Sequence, residues 1–126
     1  LCKKGKFTKK EFEEIKKHPK YGYNDIIKKI TNINNDEKVI IETILHHHER
    51  YDKHGYPDNI CLSDNYVTQI VSICDTFDAI ISQRSYKRRQ TTRKALEIIN
   101  NEKNLQFESS IVNEFYNFIN NTKIIN

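Results

Sequence analysis

The sequence predicts an all-α bundle of about six helices, in a single domain covering residues 1–126. Three observations carry that prediction. Apolar residues recur at spacings of three and four along most of the chain. Capping signals precede the periodic stretches, as where Thr8 stands three residues before Glu11. Alternation of period two never persists, so no strand is expected.

The first helix starts at Phe7-Thr8-Lys9-Lys10-Glu11-Phe12. Thr8 caps the amides, Glu11 closes the capping box, and Phe7 can staple onto Phe12. It should end near His18, because Pro19 disfavours helical geometry in the residue before it. Pro19 then opens a second helix, with Tyr23, Ile26, Ile27 and Ile30 at helical spacing. Residues 31–35 form a polar loop. A third helix is predicted over 36–51, followed by a turn through His54-Gly55-Tyr56-Pro57. A fourth spans 65–82. The last two, near 92–100 and 109–120, carry Ala95, Leu96 and Ile99, then Ile111, Val112, Phe115 and Ile119. There is no internal repeat.

The net charge of +4 conceals a pattern: residues 1–30 carry +6, residues 31–81 carry −6, and residues 82–126 carry +4. An acidic middle between basic ends suits central metal ions with anionic phosphates held nearby. The alternative for the lysine-rich start is a solvated helix face. Cys2, Cys61 and Cys74 are odd in number and lack C-x-x-C spacing, so neither a disulfide framework nor a zinc knuckle follows. With no signal peptide and no long apolar run, the expectation is a cytoplasmic segment without membrane contact. The chain begins at Leu1 rather than Met, which reads as an N-terminal cut.

The third helix holds the most informative residues. At about 100° per residue, Ile40, Ile41, Ile44 and Leu45 share one arc. His48 falls near its middle, His47 at its edge, and His46 on the opposite side. His47 and His48 should therefore point inward, toward Asp75, and His46 toward solvent. A buried imidazole needs partners for both nitrogens; a metal ion is one, and an ordinary hydrogen bond is the other. The fourth helix adds carboxylates. Its arc is Val67, Ile70, Val71, Cys74, Phe77 and Ile81, with Asp78 inside and Asp75 at the edge. Acids on an apolar face are costly unless they meet a cation or a base. His with Asp suits iron, manganese or zinc, and composition does not choose among them. Arg84, Tyr86 and Lys87 follow, and beside a metal cluster such cations clamp a phosphodiester.

These motifs resemble a known family. His47-His48-Glu49-Arg50 with Gly55-Tyr56-Pro57 is similar to the HHE and GYP signatures of HD-GYP domains. Asp75-Thr76-Phe77-Asp78-Ala79 and Arg84-Ser85-Tyr86-Lys87 match that family's next segment in type and spacing. Upstream, Lys4-Gly5-Lys6-Phe7-Thr8 resembles its K-P-G-K-L-T stretch, and His18-Pro19 with Gly22 its H-P-x-x-G. The similarity is clearest over residues 3–99. It implies an HD-domain-like helical phosphodiesterase of cyclic di-GMP or a related cyclic dinucleotide, acting in bacterial second-messenger signalling. It also implies two or three iron or manganese ions. By the resemblance, His18, His47, His48 and Asp75 are metal ligands, Asp78 and Lys87 serve catalysis, and Tyr56, Arg84 and Lys87 contact substrate. Hydrolysis is then in-line attack at phosphorus between two ions. An upstream sensory or receiver domain would be a partner.

The sequence also departs from the family. It contains no His-Asp dipeptide, which in the family precedes the K-P-G-K-L-T stretch and supplies the metal-bridging aspartate. The segment is therefore expected to be an N-terminally truncated HD-GYP domain, short of at least two ligands and poor in turnover. Lys4 replaces the proline, and Gln69 stands where the family usually has arginine. A catalytically inactive module binding nucleotide or protein is the alternative. A basic protein for nucleic acid polymers is the weakest reading, because the acidic middle interrupts any basic stripe.

Overall fold

In the computed structural model, which describes residues 7–30, 32–82 and 90–122, six helices follow one another. They are α1 (Lys9–Ile15), α2 (His18–Ile27), α3 (Asn35–His46), α4 (Tyr66–Ile81), α5 (Thr92–Asn101) and α6 (Ser109–Asn121). No strand forms among the described residues, apart from an isolated bridge between Lys103 and Phe107. The all-α bundle expected from the sequence is what the chain forms.

The caps are those that the sequence announces. The Thr8 hydroxyl accepts from the Glu11 amide while the Glu11 carboxylate accepts from the Thr8 amide, closing the capping box of α1. Phe12 is exposed, with the Lys16 ammonium 5.1 Å from its ring centre. Pro19 sits in the first turn of α2, where its missing N–H costs nothing. Asn34 and Glu37 form a second capping box at α3, and Asn65 and Thr91 cap α4 and α5.

Three helix ends fall short of expectation: α1 stops at Ile15 rather than near His18, α2 at Ile27 although its apolar spacing runs to Ile30, and α3 by the most. α3 stops at His46, and His47 is its C-cap, well short of the predicted end at residue 51. Beyond it the Glu49 amide bonds the His46 carbonyl in a tight turn, and the Tyr51 and Asp52 amides bond Gln106 and Leu105. The chain leaves the helix because it is tied to the α5–α6 connection.

The core lies where α4, α5 and α6 meet. Ile73, Phe77 and Ile80 pack against Ala95, Leu96 and Ile99, and against Phe107, Ile111, Val112 and Ile119. α2 packs on α3, and α3 reaches the core through α4. There the Thr43 and Thr68 hydroxyls share a hydrogen bond of 2.9 Å, with Thr68 fully buried. The α2–α3 crossing is close at Gly22: a Cβ there would stand 3.1 Å from Ile44 Cγ2.

The buried side of α4 is a second departure. The sequence arc of Val67, Ile70, Val71 and Cys74 is exposed, and the buried stripe is Thr68, Gln69, Ser72, Ile73, Phe77 and Ile80. α4 is apolar on two sides, and α5 and α6 claim the side that starts with polar residues. Thr68 and Gln69 are satisfied: Thr68 through Thr43, while Gln69, at the family's usual arginine position, donates to the Leu62 carbonyl at 2.7 Å. The two stripes make opposite stability predictions. Ile73→Ala should cost about 3 kcal/mol in urea unfolding, and Ile70→Ala less than about 1 kcal/mol. Equal losses would place the core on the other face of α4.

Candidate metal centre

Three histidines converge where α2 begins and α3 ends. Ring nitrogens of His18, His47 and His48 all lie within 4.8 Å of one another. The rings crowd at angles to one another: centroids are 5.3 Å apart for His18–His47, 4.9 Å for His18–His48 and 4.2 Å for His47–His48.

Backbone carbonyls orient two of these rings. His18 Nδ1 donates to the Ile15 carbonyl at 2.7 Å, using an acceptor freed where α1 ends. His47 Nδ1 donates to the Ile44 carbonyl at 2.9 Å and reaches the Thr43 carbonyl at 3.2 Å. A carbonyl only accepts, so in both neutral rings Nδ1 carries the proton and Nε2 carries the lone pair. The two Nε2 atoms nevertheless face each other at 3.3 Å. Opposed lone pairs at that distance repel unless something positive lies between them. Two nitrogens bound tetrahedrally at about 2.0–2.1 Å stand about 3.3–3.4 Å apart, so the gap fits a divalent ion. Outer Nδ1–H bonds to carbonyls are the usual way metal-ligating histidines are held.

His48 completes the group. Burial is the main cause that lowers its pKa from the usual 6.5 to about 4, with His47 and His18 adding to the effect. It is therefore neutral at physiological pH, as a ligand must be. On its other side the Tyr56 ring stacks at 4.8 Å and 28°. Burial and then the charge of Asp75 raise the Tyr56 phenol to about 12, so its O–H remains a donor at neutral pH.

The remaining sequence candidates fall differently. Asp75 is exposed and outside the three-histidine group, though its charge reaches Tyr56. Asp78 is exposed and accepts from the Ser82 hydroxyl at 3.0 Å. The expectation that both line a buried face fails because the buried stripe of α4 lies elsewhere. His46 is not free in solvent: its side chain is 16% exposed, and Nε2 meets the Asp58 carboxylate at 3.0 Å. The loop after Tyr56 folds back over that side of α3, a contact no helical wheel contains. Arg84, Tyr86 and Lys87 lie outside the described residues.

The loop carrying Tyr56 contains the residues that sequence reasoning did not assign. Glu49 is 3% exposed and its carboxylate accepts from the amides of Asp58, Asn59 and Ile60. Arg50 grips Asp52 with two hydrogen bonds of 3.0 and 2.8 Å, which hold the Asp52 carboxyl down to about 2. Gly55 has no room for a side chain, since a Cβ would stand 2.5 Å from Arg50 N and 2.6 Å from the His48 carbonyl. The one signal in the sequence was an acid placed directly after the histidine pair.

Comparison with known proteins gives the family. A family model described as HD domain matches residues 1–111. The cyclic di-GMP phosphodiesterase response regulator RpfG of Xanthomonas campestris is 38% identical, covering 76% of this chain and 25% of that protein. A cyclic di-GMP phosphodiesterase of Thermotoga maritima is 30% identical over 91% of this chain and 31% of its own length. The 3'3'-cGAMP-specific phosphodiesterase 2 of Vibrio cholerae is 32% identical over 89% of this chain and 21% of its own. The chain thus spans between a fifth and a third of the length of these relatives.

His48 makes the metal-free fold sensitive to acid. Its folded pKa is about 4, below the 6.5 of an unfolded histidine, so the unfolded chain takes up the proton first. The stability linked to neutral His48 is complete above about pH 6.5 and is lost as pH falls toward 4. Urea midpoints of chelator-treated protein at pH 7 and pH 5 should therefore differ less in His48→Gln than in the parent chain. An equal drop in both would remove His48 as a source of acid sensitivity.

Proposed function

The chain belongs to the HD domain family, in its HD-GYP group, and on that premise we propose that it hydrolyses a cyclic dinucleotide with the help of a divalent metal. The observation that carries this reading is the pair of Nε2 atoms facing at 3.3 Å, with both Nδ1 protons already committed to carbonyls. HD domain phosphohydrolases are metal-dependent, and three imidazoles at this spacing suit a first-row ion. We assign His18, His47 and His48 as its ligands, with iron or manganese ahead of zinc, and Asp75 as a further ligand. When bound, such an ion polarises a phosphoryl oxygen and acidifies water.

The residues of this chain do the rest. Nδ1 anchoring holds two rings ready, so little ordering cost falls on ion binding. Burial keeps His48 neutral. Tyr56 covers one side of the group and offers its phenolic O–H to a phosphate oxygen or its ring to a base. By the family resemblance, Asp78 would support the site, and Arg84 and Lys87 would contact the substrate phosphates. Its class follows from the relatives' names, and the choice between cyclic di-GMP and 3'3'-cGAMP belongs to the test.

No helix among the described residues is long and apolar enough to cross a membrane. Free Cys61 and Cys74 suit a reducing compartment, so we place the domain in the cytoplasm. We also propose a receiver or sensory domain as a companion in the whole protein, since one relative is a response regulator.

Calorimetric titration of the 126-residue chain with zinc or manganese should give about one ion per chain, because three imidazoles complete one site and not two. His48→Ala should abolish that binding and His46→Ala should leave it nearly intact. Equal losses would mean that His46 belongs to the site. Turnover is a separate measurement: chromatography of either dinucleotide with manganese or ferrous iron should show slow linear product from this chain, and none from His48→Ala. Nucleotide binding without product would make the domain a non-catalytic module.

A further inference from the structure

Glu49 is a buried acid with no place in the reading above. Its Oε1 accepts from the Asp58 amide at 2.5 Å and the Asn59 amide at 3.1 Å, and its Oε2 from the Ile60 amide at 3.1 Å. Three consecutive amides converge on one carboxylate because Asn59 takes a left-handed conformation, φ 57°. The same turn is tied back to the loop start, since Asn59 Nδ2 donates to the Gly55 carbonyl. The Tyr56 amide in turn donates to the His48 carbonyl at 3.2 Å. Asp58, the first residue of the turn, meets His46 at 3.0 Å and Lys20 at 3.8 Å. Glu49 thus follows His48 directly in the chain and grips the turn that closes the loop carrying Tyr56.

We infer that Glu49 is a positioning residue: its carboxylate fixes the turn at residues 58–60, and through that turn it sets the Tyr56 ring against His48. The bonds are charge-assisted and shielded from water, which makes them stronger than neutral amide bonds and costly to leave unmade. Glutamine at this position keeps the length but offers one acceptor oxygen, and it turns an NH2 toward an amide N–H. The loop then loses its closure while His18 and His47 keep their own carbonyl anchors. The consequence for substrate rests on the phosphodiesterase reading; the ring geometry does not.

The test separates the two. In the metal-free chain labelled with 13C-histidine, ring stacking by Tyr56 displaces the His48 imidazole resonances, and Tyr56→Ala defines the unstacked position. Glu49→Gln should move His48 most of the way to that position and leave His18 and His47 in place. Asn59 is exposed, so Asn59→Ala loosens the turn without touching the core, because alanine resists the left-handed conformation that Asn59→Gly retains. Asn59→Ala should shift His48 in the same direction as Glu49→Gln, and Asn59→Gly much less. If Glu49→Gln does not fold, the Asn59 pair still decides. His48 resonances unchanged in Asn59→Ala, or all three histidines shifting together, would overturn the positioning role. With manganese and a cyclic dinucleotide, Glu49→Gln should bind the ion within about threefold of the parent and raise KM about tenfold or more. An unshifted KM beside a shifted His48 signal would sink the phosphodiesterase consequence alone.

Discussion

Two imidazole nitrogens held lone pair to lone pair, His18 Nε2 and His47 Nε2 at 3.3 Å, set the terms for the surrounding architecture. Such a pair is tolerated only because other bonds hold each ring in place. The short α1 ends where it does to release the Ile15 carbonyl to His18, and α3 ends at His46 so that His47 can turn back onto Ile44. Proline in the first turn of α2 removes one of the amides that a helix start leaves unmet. His48, the next residue, is buried enough to stay uncharged. The helical bundle supplies rigidity, and the helix ends supply the chemistry.

Much of this was legible in the sequence, and the parts that were not have a common cause. Capping boxes at Thr8 and a proline at position 19 are local signals, so α1 and α2 start where the sequence says. α4, α5 and α6 keep their predicted ends within a residue for the same reason. His47 and His48 were readable from the helical wheel, and His18 only through motif order. The end of α3 was not readable from periodicity, because it depends on amides of residues 51–52 bonding to residues 105–106. The face of α4 was ambiguous in principle: a helix with Val67, Ile70 and Val71 on one side and Ile73, Phe77 and Ile80 on another reveals its buried side only through its neighbours. Glu49 was visible as part of a motif, but its three amide partners lie nine to eleven residues away in a turn whose shape rests on Asn59.

The distribution of order matches that of function. The hydrophobic core sits among α4, α5 and α6, while the histidines sit at the α2–α3 side, connected to it mainly through the Thr43–Thr68 contact and the Arg50 loop. The main apolar core and the histidine group are therefore built from different residues.

The close approach at Gly22 gives the histidine pair a mechanical basis. His18 lies one turn before Gly22 on α2, and His47 lies about one turn beyond Ile44 on α3. The Gly22–Ile44 contact is thus a fulcrum, and the two imidazoles are the jaws one turn away. A methyl group at the fulcrum pushes the helices apart by a few tenths of an ångström and opens the jaws with them. A packing residue that never touches either imidazole can thus set the distance between them.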